Sequence, residues 1–494
     1  MPTTIPLTAG VSNTSTANAS WPLFPAEPHR VEGISTGTAA WETVQHGQEL
    51  FPKGMVTVAA TGLNAVEHIV VLMLENRSFD HMLGYLYADS GNVSPSGDLF
   101  EGLTGTESCP ASDGSPVTVY QLTPSTPDLY FMPGADPGEG YQATNAQLYG
   151  SAGAPKAGAL PSMTGFVGNY AGAIKDNLAK GWHVVPGTSE HMIMGCFTPQ
   201  TLPVLSAMAK GFAVCDAWFA SAPTMTMPNR AFACAGTSQG NLDDKAKRFT
   251  VPSIFGHLGN HGIPWKIYGE TKSPLTKLDF DDTRHAPPSN IGLFANFQAD
   301  AAAGKLPAYA FLEPSWSSTG NSEHPNYNVA LGEQFLLDVY RAVRDGPAWD
   351  STLLIITYDE HGGCYDHVAP PWGATPPDDA AGEFGFDFTR FGVRVPTVLI
   401  SPLIPAGTVF RASGAVPLDH TSILATIEHR WNLPALTRRD AAAPDVGGAL
   451  RLAVPRTDDP LAGVRAPSPP PTTRALAEQP SHLEQLREEL LAQA

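Results

Sequence analysis

The sequence predicts an α/β fold with a central, mostly parallel sheet and long loop insertions. Three observations lead there. Short β-branched apolar runs, at residues 67–74, 352–358 and 395–401, have the composition of strands buried on both faces. They alternate with stretches whose apolar residues recur at helical spacing, the pattern of strand–helix–strand units around a parallel sheet. The chain also carries 47 glycines and 46 prolines among 494 residues, which favours long connections over a helical bundle.

Taken in order, residues 1–62 are Thr/Ser/Ala/Gly/Pro-rich without helical period and read as an extended N-terminal arm. The run at 67–74 is the first core strand, and it stops abruptly at Glu75-Asn76-Arg77-Ser78-Phe79-Asp80-His81. Residues 88–165 carry little periodicity and read as loop-dominated insertions. A helix is expected at 202–210 and a short strand at 212–215. Residues 226–240 read as a turn-rich crossing that feeds a helix, and 264–268 and 308–312 as short strands. Val329, Leu331, Phe335, Leu336, Val339, Tyr340 and Val343 mark an amphipathic helix that Gly346-Pro347 ends. The second core strand, 352–358, runs into Asp359-Glu360-His361; a third follows at 395–401 and a helix at 420–431. Three segments result: the arm at 1–62, a catalytic domain at 63–434, and a Pro/Ala-rich tail at 435–494 that ends in a short helix near 483–494.

Composition narrows the function. With 29 basic and 48 acidic residues the formal charge is −19, and no basic stretch exists to displace phosphate counterions, so nucleic acid is not the expected partner. Docking on an anionic membrane is disfavoured for the same reason. No apolar run approaches the roughly 18 residues that span a bilayer. No secretory signal is visible, which makes a cytoplasmic location the default expectation. The five cysteines, without a CxxC pair, read as buried thiols.

Chemistry is expected beyond the carboxyl ends of the strands. Two core strands end alike there, one in Glu75-Asn76 and the other in Asp359-Glu360. If they are parallel neighbours, four oxygen-bearing side chains converge, a ligand set that suits a hard divalent cation and is costly without one. His361, Asp366 and His367 follow within a few residues, with Gly362-Gly363 permitting a tight backbone. No HExxH or HxH spacing marks a histidine-ligated zinc. Gly236-Thr237-Ser238-Gln239-Gly240 matches the GxSxG elbow of α/β-hydrolases, with Asp359 and His420 in the right order, which offers Ser238 as an alternative nucleophile. The segment before it reads as helix, however, not as the strand an elbow needs.

These residues also compose a family pattern. Glu75–His81 resembles the ENRSFDH signature of the phosphoesterase family that includes non-specific phospholipases C and metal-dependent acid phosphatases. Thr226-Met227-Pro228-Asn229-Arg230 resembles its TxPNR segment, His324-Pro325 its HP element, and Thr357–Gly363 its TYDEHGG motif. Asp366-His367-Val368 and Asp419-His420-Thr421-Ser422 resemble the later DHV and DHTS pieces. The resemblance implies an alkaline phosphatase-like α/β/α sandwich and a metal-dependent phosphoric-ester hydrolase, of phospholipase C or acid phosphatase type. Its substrate would be a phospholipid or a small phosphomonoester. By it, Glu75, Asn76, Thr226, Asp359 and Glu360 hold a divalent cation (Ca²⁺, Mg²⁺, Mn²⁺ or Zn²⁺), and Thr226 is the nucleophile that becomes phospho-threonine. His324 and His361 contact the transferred phosphoryl group or protonate the leaving oxygen, while His81, Arg230, Asp366 and His420 support them. Asn328 stands where the family often has Asp, and Cys364 where it usually has an aromatic residue. The resemblance keeps secretion open, and a catalytically silent binding protein on the same fold is a further alternative.

Overall fold

The computed structural model describes residues 61–468 and 481–493. The expected N-terminal arm and the proline-rich tract at 469–480 lie outside them. Eight strands form one sheet: β1 (His68–Leu74), β2 (Ala213–Val214), β3 (Trp265–Gly269), β4 (Ile291–Leu293), β5 (Tyr309–Leu312), β6 (Thr352–Tyr358), β7 (Thr397–Ile400) and β8 (Thr408–Val409). Their order is β8-β2-β7-β6-β1-β5-β3-β4. Only β7 runs antiparallel to its neighbours. The two strands singled out by their acidic ends are indeed adjacent and parallel, with Leu74 paired to Tyr358. Both chain segments therefore leave the sheet at one level, side by side.

All of β6 is buried, and all of β1 except His68, as fits strands covered on both faces. The covering helices fall into two sets by contact. Pro203–Gly211 and Phe294–Ala302 pack on Val329–Arg344; Ile254–Asn260 and Thr421–Trp431 pack on Thr226–Ala235. The stripe predicted at 329–344 is the buried face of its helix, which Asn328 caps by accepting from Ala330 N. Thr226 does not precede a helix, as expected, but opens the Thr226–Ala235 helix itself.

The region 88–165 holds more order than expected. A hairpin pairs Ser108–Pro110 with Pro116–Thr118, and the helices Tyr141–Tyr149 and Phe166–Lys180 pack together over a second apolar cluster containing Leu148, Phe166, Tyr170 and Ile193. The tail contributes as well. Val446, Ala449 and Leu450 join the main core, and the His482–Ala492 helix buries Leu483, Leu486 and Leu490 against Met227, Leu275 and Trp316. Among the described residues no helix is long and apolar enough to cross a membrane.

Candidate active site

The loop after β1 is built residue by residue from its sequence. Asn76 adopts a left-handed conformation (φ 57°), which turns the chain sharply out of the sheet. Its backbone N–H donates to Asp359 Oδ1 (2.9 Å) and ties the two strand ends together. Arg77 is fully buried and spends its guanidinium on three carbonyls, those of Glu323, His324 and Met132. Ser78 caps the short Phe79–Leu83 helix. Beyond β6, Gly362 (φ 60°) is required by close approach, since a Cβ there would stand 2.0 Å from the Asn76 carbonyl oxygen.

Thr226 Oγ1 donates to Asn76 Oδ1 at 2.9 Å, and Asn76 Nδ2 donates to Glu139 Oε2 at 2.5 Å. Thr226 thus lies at the ends of β1 and β6, on the first residue of a ten-residue helix whose N-terminal dipole favours negative charge on its oxygen. It opens, with Glu75, Asp136, Glu139, Asp244 and His324, onto a cleft of about 500 Å³. Ser481, His482 and Gln485 of the C-terminal helix form part of the rim.

Asp359 is held on both oxygens. Oδ2 accepts from Arg230 Nε (2.9 Å) and Oδ1 from the backbone of Asn76 and Glu360. Arg230 also donates to the carbonyls of Met73 and Leu74 and lies over the Trp316 ring. Glu75 Oε2 and Glu360 Oε1, by contrast, are buried without a hydrogen-bond partner. Burial, reinforced by Asp359, pushes both carboxyls well above the usual range. Glu139 is raised likewise by burial and by Asp136, and burial lifts Asp136 and Asp244 to about 7. The cleft is a place where negative charge lacks compensation.

The two expected catalytic histidines differ. His324 lines the cleft; Nδ1 bonds the Pro325 carbonyl (2.9 Å), and an acceptor there requires Nδ1–H and leaves Nε2 a lone pair. Burial holds its pKa near 3, so the ring is neutral. His361 has both nitrogens engaged, Nε2 by Gln147 Oε1 (2.7 Å) and Nδ1 by Glu360 Oε2 (3.0 Å), and it does not line the cleft. Its position is that of a strut for Glu360, not of a group facing a ligand.

Of the supporting residues, His420 Nε2 bonds the Asp359 carbonyl oxygen (2.5 Å) and steadies that strand end. His81 stacks on Phe197, away from the cleft, with neither ring nitrogen bonded. Asp366 belongs to a separate buried network with Asp80, His367 and Arg394. The Ser238 elbow is overturned: Ser238 follows a helix rather than a strand, its hydroxyl donates to the Asn241 carbonyl, and His420 is committed to Asp359 and Trp218.

Among the described residues, two groups of three bring metal-ligand atoms within 4.8 Å of one another: Asp136–Glu139–His324 and Asp80–Asp366–His367. The expected Glu75–Asp359–Glu360 set is not one of them, and both Asp359 oxygens are already bonded, by Arg230 and by the Asn76 and Glu360 backbone. Asp136, Glu139, Asp244, Arg77 and Gln147 were not singled out by the sequence. The one local signal was Asp136-Pro137-Gly138-Glu139-Gly140, a turn with two acids just ahead of a helix.

Comparison with known proteins bears on the family. The chain is 36% identical over 418 residues to non-specific phospholipase C6 of Arabidopsis thaliana, covering 80% of this chain and 74% of that protein. It is 29% identical over 438 residues to phospholipase C A of Mycobacterium tuberculosis, covering 80% and 78%. Among solved structures, a protein in the alkaline phosphatase superfamily from Vibrio parahaemolyticus aligns at 12% identity and a TM-score of 0.32, over 50% of this chain and 65% of that one. Residues 66–434, which carry every motif above, match the Phosphoesterase family model, and the chain belongs to that family.

Proposed function

We propose that the chain is a divalent-cation-dependent hydrolase of phosphoric esters that works through a phospho-threonine on Thr226. Its substrate is a phospholipid or a smaller phosphomonoester. The carrying observation is that Thr226 Oγ1 bonds Asn76 at a strand end where Glu75 Oε2 and Glu360 Oε1 are buried and unpartnered. Buried carboxylate oxygens without donors fit a hard cation, and Glu75, Asn76, Thr226, Asp359 and Glu360 would hold it. When bound, such an ion lowers the pKa of the threonine hydroxyl and screens the phosphate charge.

The chain's own groups supply the rest. Asn76 orients the Thr226 oxygen, and the helix N-terminus favours its anionic form. The oxygen attacks phosphorus, the bond to the leaving alcohol breaks, and water later releases phosphate from the threonine. In proton balance the Thr226 hydroxyl proton leaves with the departing alcohol and the attacking water returns one to Thr226 Oγ1, while His324 stands neutral in the wall of the cleft where this takes place. His361 and Gln147 keep Glu360 in place.

The test is phosphate or phosphoalcohol release from phosphatidylcholine and from a small phosphomonoester. A chelator should abolish it and added cation restore it, and Thr226→Ala should lose roughly 10³-fold or more. A Thr226→Ala enzyme with full activity overturns the proposal.

A further inference from the structure

One divalent cation does not balance this cleft. Glu75, Asp136, Glu139 and Asp244 line the cleft with Thr226, and the buried Asp359 and Glu360 act on Glu75 and Glu139 respectively; against these six acids stand Arg230, ion-paired with Asp359, and Lys180 in the cleft lining. A phosphate ester adds further negative charge.

Part of the excess lies beside the strand end, where Glu139 accepts from Asn76 Nδ2. Asp136 Oδ1 is buried and has no hydrogen-bond partner. His324, 7% exposed, commits Nδ1–H to the Pro325 carbonyl, and its Nε2 lies 3.8 Å from Asp136 Oδ1, too far for a hydrogen bond. Glu139 gives one oxygen to Asn76 and keeps the other. The ligand atoms of all three lie within 4.8 Å of one another, and bonds of about 2.0–2.6 Å to a single ion allow that span. Arg77 pins the carbonyls of His324 and Met132, which fixes the backbone on both sides of the gap.

The other group that meets this spacing shows what a filled cluster looks like. At Asp80–Asp366–His367 the Arg394 guanidinium bonds both aspartates. Among the described residues no arginine or lysine is ion-paired with Asp136 or Glu139; Lys180, in the lining of the same cleft, acts on Asp136 without bonding it.

We propose that Asp136, Glu139 and His324 form a second divalent-cation site in the wall of the cleft, distinct from the Glu75–Asn76–Thr226–Asp359–Glu360 set. Two carboxylates and an imidazole suit Mn²⁺ or Zn²⁺ and leave coordination positions open toward the substrate. An ion there would meet the oxygens of a phosphate ester in the same cleft as Thr226, as paired cations do in many phosphoryl-transfer sites. The site rests on the reading of the cleft as that of a metal-dependent hydrolase.

Counting ions separates the two claims. Full-length protein is stripped with chelator, dialysed against excess Mn²⁺ and then against buffer, and its manganese content per chain is measured. The wild type should hold two equivalents. Asp136→Asn and His324→Gln should each hold one, and so should Glu360→Gln, with near-UV circular dichroism confirming that each variant is folded. A wild type with one equivalent, or a folded Asp136→Asn protein that keeps two, overturns the second site. A single equivalent lost only in Glu360→Gln leaves the parent reading standing, whereas a wild type with none overturns both.

Discussion

Two buried acid-rich clusters lie in this molecule, one on each side of the same signature loop, and they differ in what answers their charge. In the first, Asp80, Asp366 and His367 surround Arg394, whose side chain is fully buried and bonds both aspartates at 2.8 and 3.0 Å. Burial opposes every charge there, yet His367 and Arg394 still hold Asp80 below the usual carboxylate range, and Asp80 carries His367 up to about 10. In the second, around Thr226, the carboxyls of Glu75, Glu139 and Glu360 are pushed upward by burial and by one another. The chain supplies counter-charge where it needs a fixed frame and withholds it where a ligand must enter. Proximity of acids alone does not tell these cases apart: Arg394 bonds both aspartates of the first cluster, whereas in the second Arg230 bonds Asp359 and leaves Glu75 Oε2 and Glu360 Oε1 without a partner.

Four outcomes would sharpen or break this contrast. The largest is on activity: Glu360→Gln should lower turnover by about 10³-fold, while raising the stability of the cation-free protein by about 1 kcal/mol, because a repelled buried charge is removed. Denaturant melts run beside the assay check both halves. Next, Arg394→Met should cost about 3–5 kcal/mol of stability, since it leaves Asp80 and Asp366 buried without their partner. A variant that unfolds no earlier than wild type would show the first cluster is not the frame we describe.

Third is pH. Asp136 and Asp244, raised to about 7, retain protons in the folded chain that the unfolded chain releases near pH 4. Stability of the cation-free protein should therefore fall as pH rises from about 4 to 7, by about 1 kcal/mol or more, and a divalent cation should flatten the slope. The closed cluster behaves differently: the Asp80 contribution is lost as pH drops below about 4 and that of His367 as pH climbs from about 6.5 to 10, while Asp366, lifted by burial to about 6, adds a shorter fall between about 4 and 6. The smallest effect is expected from His361→Asn, which loosens Glu360 without removing a ligand. Turnover should fall by about tenfold, with weaker cation affinity and a KM changed little, as measured by cation titration of activity.

How much of this was legible in the sequence follows from how local each signal was. The strand ends at Leu74 and Tyr358 announce themselves by composition, whereas their adjacency was only a condition in the sequence and is supplied by the pairing of the two strands. Asn76, Thr226, Asp359 and Glu360 sit in contiguous motifs and could be named. Asp136, Glu139 and Asp244 could not, because they arrive by tertiary folding from Gly/Pro-rich stretches without period. The Tyr141–Tyr149 helix was hidden for a related reason: it buries Thr144, Asn145 and Gln147 along with its apolar residues and so shows no stripe. The direction of the His361 ring was not legible, because a motif gives neighbours in sequence and the ring is held by Gln147, more than 200 residues away.

The central claim is that Thr226 becomes covalently phosphorylated. The direct measurement is mass spectrometry of peptides from enzyme mixed with a phosphate ester and quenched in acid during turnover. The account predicts a phosphoryl-mass increase on the peptide containing Thr226, absent in Thr226→Ala and absent after chelation. A turning-over enzyme whose Thr226 peptide stays unmodified, or whose phosphoryl group appears on another residue, would contradict it.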